Sequence, residues 1–152
     1  MCTSFMGELL TATHNFGTAP IRAATTADTF KGALYLASAT VNASTTVYST
    51  TNEVTGTGYT AGGVTVTNAT APIATNSSTT AGVAYWTPSA SLVYTTVTLT
   101  TAFDTVLIYN STQSNKAVSV HTFGSQTITA GTFTLTMPSN TTTTALLRLA
   151  TT

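Results

Sequence analysis

Threonine constrains this chain more than any other feature. It supplies roughly a quarter of the residues, whereas charged side chains supply only 5%. Thr is β-branched and stiff at χ1, which suits a pleated surface better than a helix. It stands where a soluble protein usually carries Lys and Glu, so the surface is polar but almost uncharged. With a formal net charge of zero, little repulsion keeps copies apart, and association is favoured. The composition reads as that of a β-rich building block that works packed against other protein.

The apolar residues fall into short runs with clear breaks, as in a folded domain rather than a low-complexity chain. Val64 and Val66 alternate with Thr65 and Thr67, Val97 and Leu99 with Thr96 to Thr100, and Phe133, Leu135 and Met137 with Thr132 to Thr136. Period two, apolar on one side and Thr on the other, describes half-exposed antiparallel strands. Phe30–Ser38, whose centre Leu34 to Leu36 is apolar on both faces, and the continuous apolar run Val106–Tyr109 read as interior strands, and Ala117–Phe123 and Leu146–Leu149 as further strands. The run from Asn110 to Lys116 is a turn, and Pro88 and Pro138 mark strand ends. Gly56–Gly63 holds four glycines in eight residues and reads as a shaped loop with a packed Tyr59. The one helical candidate lies within 4–16, with Ser4 as N-cap and Glu8 in the early turns. The expected architecture is all-β: a single-domain antiparallel β-sandwich or jelly roll of about eight strands at 29–152, preceded by a short N-terminal helix or arm at 1–28.

Chemistry is sparse. The basic residues Arg22, Lys31, Lys116 and Arg148 are scattered, so no nucleic-acid footprint is expected. His14 and His121 have no second ligand at metal-binding spacing, and both read as surface or interface residues. The carboxylates Glu8, Asp28, Glu53 and Asp104 form no recognisable pair, and no GxSxG elbow accompanies the serines. The glycine-rich loop lacks the Lys and the following helix of a phosphate cradle. No catalytic, cofactor-binding or metal-binding residues are therefore assigned. Trp86, Tyr85, Tyr94 and Tyr109 could line a sugar-binding groove, although such residues more often fill a core or an interface. Irregular Thr spacing speaks against an ice-binding array. Cys2 is the single cysteine, so no intramolecular disulfide is possible. No signal peptide or membrane-spanning run is recognised, and synthesis in a cytoplasm is expected.

Several segments together carry a resemblance: SFMGELL near the N-terminus, Thr29 to Gly63 with its run TTNEVTGTGYTAGG, VLIYNSTQSNKAVSVHTFG at Val106 to Gly124, and GTFTLTMPSN before ALLRLA. The chain resembles a group of small structural proteins of tailed double-stranded DNA bacteriophage virions, including phages of cyanobacteria. It departs from that pattern in the Thr/Ala-rich stretch around Pro72 to Val83. The resemblance implies a non-enzymatic virion protein made in the bacterial host cytoplasm. The expected role is a capsid decoration (cement) protein on the outside of the head, homo-oligomeric and preferentially trimeric, bridging subunits of the major capsid protein. The alternatives are a tail, neck or head-fibre component and a carbohydrate-binding host-attachment module. Partner-contact candidates are Cys2, Phe5, Met6, Leu9, Leu10 and Phe16 of the N-terminal arm, together with Tyr59.

Overall fold

In a computed structural model of the protein, the residues described are 1–10, 13–14, 16, 27–67, 73–75 and 82–150. The fold is mostly β, with one short helix, α1 (Thr3–Leu10). The strands are β1 (Phe30–Leu36), β2 (Val64–Thr65), β3 (Ile73–Ala74), β4 (Val83–Trp86), β5 (Leu92–Asn110), β6 (Lys116–Leu135) and β7 (Leu147–Ala150). They form two antiparallel sheets, one in the order β2-β1-β5-β6 and the other β3-β4-β7.

β1 is an interior strand, with β5 along one edge and β2 followed by the Asn52 to Val54 segment along the other. Leu34 and Tyr35 point to opposite faces and both are buried, so the sheet is covered on both sides here. The core runs through β1 and the second half of β5, where Phe103 and Val106 to Tyr109 are all buried. Ser111 to Asn115 make the turn into β6. Sequence periodicity divides this region differently from the structure. The expected strands at Val97–Leu99 and Val106–Tyr109 are one strand of 19 residues, and Ala117–Phe123 and the first part of Phe133–Met137, as far as Leu135, belong to one of 20. The polar residues between them form no turn. They are absorbed by bulges, with register shifts at Tyr94/Val97, Val97/Leu99, Leu99/Phe103 and Phe103/Thr105. Thr96 and Ala130 adopt positive φ (53° and 47°), a conformation uncommon for non-glycine residues, in the parts of β5 and β6 where the pairing slips.

The N-terminus differs as well. α1 begins at Thr3, so Ser4 is inside the helix rather than its N-cap, and its hydroxyl is buried without a partner among the described residues. Cys2, Phe5 and Phe16 are buried in the same hydrophobic cluster as β1 and β5, and the Cys2 N–H donates to the Val118 carbonyl (2.9 Å). What the sequence suggests is a projecting arm is here part of the body. The side chains of Met6 and Leu10 lie outside the described residues, as does the connection around Pro20.

Candidate functional site

Two buried polar networks gather most of the groups capable of chemistry. The first is built around Glu53 and shapes the glycine-rich loop. Glu53 is 5% exposed and bridges to Tyr35 of β1. Its Oε1 accepts from the Tyr59 hydroxyl (2.7 Å) and the Gly62 N–H (2.7 Å), and its Oε2 accepts from the Tyr48 hydroxyl (2.7 Å). Three donors meet the charge, with no ion pair to it among the described residues, which is how a buried carboxylate remains tolerable. Tyr59 also accepts from the Leu34 N–H (3.0 Å), tying the loop to the centre of the large sheet. Tyr109 donates to the Gly62 carbonyl (2.9 Å) and Tyr94 to the Gly32 carbonyl (2.8 Å). The rings pack in parallel: Tyr48 on Tyr109 at 4.5 Å, and Tyr59 on Tyr94 at 6.0 Å. Gly63 has to be glycine, because its φ is +72° and a Cβ would run into the Gly32 carbonyl.

Burial, reinforced by the Glu53 charge, raises every phenol of this cluster. Tyr35 and Tyr109 are pushed up to about 12, and Tyr48, Tyr59 and Tyr94 higher still. These hydroxyls are structural donors at neutral pH and not acids poised for proton transfer.

The second network fixes the N-terminal segment. Asn110 Oδ1 accepts from the N–H groups of Thr112 and Gln113 (3.0 and 3.1 Å), which leaves its Nδ2 as a donor. That nitrogen donates to Asp28 Oδ2 (2.8 Å) and to His14 Nδ1 (3.0 Å). His14 therefore carries its proton on Nε2 and donates to Glu8 Oε2 (2.7 Å). Lys116 completes the chain with a bond to Glu8 Oε1 (2.8 Å). Phe5 and Phe16 flank the imidazole, Phe16 stacks on Phe30 (4.6 Å), and Trp86 meets Phe16 edge-on (4.9 Å). Burial holds His14 below its ordinary pKa, against the pull of Glu8. Burial acts to raise Glu8, but its bonds to Lys116 and His14 outweigh this and keep it low. The expectation of a surface or interface His14 is corrected: its side chain is 0% exposed. The acid-base group is sealed under aromatic rings and out of reach of a substrate.

Among the described residues, no group of three or more His, Cys, Asp or Glu could hold a metal ion. Trp86, Tyr94 and Tyr109 are each 2% exposed, so none of these three offers a ring face to a sugar. Of the contact candidates, Cys2, Phe5 and Phe16 are packed inside the chain, and Leu9 is half-buried. Burial also raises the Cys2 thiol, which keeps it protonated. Tyr59 belongs to the separate Glu53 cluster, where its hydroxyl is fully engaged. An apolar cleft remains between α1 and the β4–β7 pair, lined by Met1, Leu9, Trp86, Leu147 and Leu149 among others. The Trp86 indole N–H is buried with no acceptor among the described residues.

The sequence gives little warning of Glu53, Asp28, Asn110 and Lys116 as network members. The available signal is that a carboxylate next to a Tyr- and Gly-dense run needs donors, and that run supplies them. No known protein family, curated protein or solved structure matches this chain.

Proposed function

We propose that this chain is a non-enzymatic structural protein of a tailed double-stranded DNA bacteriophage virion, acting as a capsid decoration (cement) protein. In this reading it is made in the host cytoplasm, assembles as a homo-oligomer and binds the major capsid protein on the outside of the head. One observation, beside the resemblance of its segments, carries the reading. Charged groups are few, and of these Asp28 (3% exposed) and Glu53 (5%) are buried and Glu8 is bound to Lys116 and His14, while the outer strands present Thr, Ser and Gly. A surface so poor in charge suits permanent contact with other protein, since interface centres are depleted of charged residues. Many weak copies around a shell would then supply the holding strength. Among the described N-terminal residues, Leu9 and Met1 at the apolar cleft are placed to meet a partner. We also read the two sheets as packed face to face, because Trp86 of the small sheet lies against Phe30 of the large one (6.1 Å).

Purified virions test the reading by gel densitometry against the major capsid protein. A decoration protein is present in hundreds of copies per particle. A few to tens of copies would place it in the tail, neck or a head fibre, and absence from the particle would overturn the proposal.

A further inference from the structure

β6 is the edge of the large sheet. Its inner side pairs with β5 from Leu135 to Lys116. On its outer side, Val118 meets the Cys2 N–H and Lys116 bridges to Val47, but from Ser119 to Leu135 no described residue pairs with it. An unpaired strand edge is a template for another strand, and stable proteins usually block it with Lys, Pro or inward-pointing charge. From Ala117 to Leu135 there is no Lys, Arg, Asp, Glu or Pro. Nine residues between Thr122 and Thr134 are exposed, and Phe123, Ile128, Phe133 and Leu135 are half-open at the core face.

We propose that β6 pairs antiparallel with β6 of a second copy, about a two-fold axis at Thr127. Three features select a second copy as the occupant. The strand is 20 residues long, and the other sheet edges of this chain, β2, β3 and β7, have two to four residues, too short to cover it. From Thr122 to Leu135 the edge carries no charged side chain, so a second copy meets no like-charge repulsion there. The regular stretches of β6 are at its two ends, Ser119–Thr122 and Phe133–Leu135, with the bulges between them. A two-fold axis at Thr127 aligns both ends at once and sets Thr122 against Thr132 of the second copy. The contact is isologous and closes at two chains. It stands on the β6 edge alone and does not depend on a capsid.

The test uses the full chain in solution. Sedimentation equilibrium should give a particle of twice 15.6 kDa. A double variant, Thr122→Lys with Thr132→Lys, puts like charges directly across the axis at two exposed positions. It should keep its circular dichroism and melting temperature yet weaken self-association by roughly tenfold or more. The matching variant, Thr122→Glu with Thr132→Glu, should also be monomeric, and a 1:1 mixture of the two should dimerise again. A monomeric or trimeric wild type, a Lys variant that dimerises as tightly as wild type, or a mixture that stays monomeric would each overturn the proposal.

Discussion

Replacing Glu53 tests whether the glycine-rich loop is held by one buried carboxylate. Glu53→Ala deletes three hydrogen bonds of 2.7 Å each, from Tyr48, Tyr59 and Gly62. Bonds to a charged acceptor contribute about 1.5–3 kcal/mol each. The full sum overstates the loss, because removing Glu53 also removes the cost of burying its charge. The donors left behind set the balance: the Gly62 N–H is a fixed backbone donor in a buried bond, whereas the Tyr48 hydroxyl can rotate. The expected loss is about 3 kcal/mol, a large share of the 5–15 kcal/mol typical of a domain. Glu53→Gln keeps the shape and one acceptor oxygen, and should lose about 1–2 kcal/mol. Urea unfolding followed by Trp86 fluorescence and by circular dichroism measures both values. Tyr59→Phe in the Glu53→Ala background should cost clearly less than Tyr59→Phe alone, since the two groups share a bond. A Glu53→Ala protein that loses less than about 1 kcal/mol, with additive double-variant energetics, would refute the role given to this carboxylate.

The remaining expectations concern pH and the N-terminal segment. Burial lowers His14 and carries His121 down to about 4, so the unfolded chain takes up protons that the folded chain refuses. Stability should be fully present above pH 6.5 and fall on acidification, with the His121 contribution levelling off near pH 4; the Glu8 contribution, present above its ordinary 4.5, is lost in the same direction. His121→Gln should flatten this slope by about 1–3 kcal/mol between pH 7 and pH 4 in urea melts, and an unchanged slope would count against the assignment. The buried tyrosines behave oppositely: their raised pKa values give stability that holds below pH 10 and is lost as pH rises towards 12 and beyond. Near-ultraviolet difference absorbance should show these phenols ionising together with unfolding rather than before it. Phe5→Ala should cost about 3–5 kcal/mol, because the ring is 2% exposed and packs on His14 and Phe16. Deleting residues 2 to 16 should accordingly prevent stable folding, whereas a melting temperature close to that of the full chain would restore the picture of a detachable arm.

Much of the chain's character was present in its composition. Abundant Thr and short alternating apolar runs specify half-exposed antiparallel strands, because side chains alternate across a pleated strand whatever else the chain does. Phe30 to Leu36 as an interior strand, the Asn- and Ser-rich turn before Lys116, and the loop from Gly56 to Gly63 were all legible, since each depends on residues adjacent in sequence. Tertiary structure decided what local pattern cannot encode. Bulges joined four expected strands into β5 and β6, because the polar residues at their centres are accommodated by slips against a partner strand. His14 became a buried link between Glu8 and Asn110 because a donor 96 positions away converges on it, and Glu53 became an anchor because the folded loop turns donors five to nine positions away onto its carboxylate. The N-terminal segment joined the core because Phe5 and Phe16 find their apolar surroundings on β1 and β4 and not in their own helix. Sequence set the alternation of each strand, but which strands run on unbroken and which polar groups are sealed inside depends on contacts that exist only once distant segments meet.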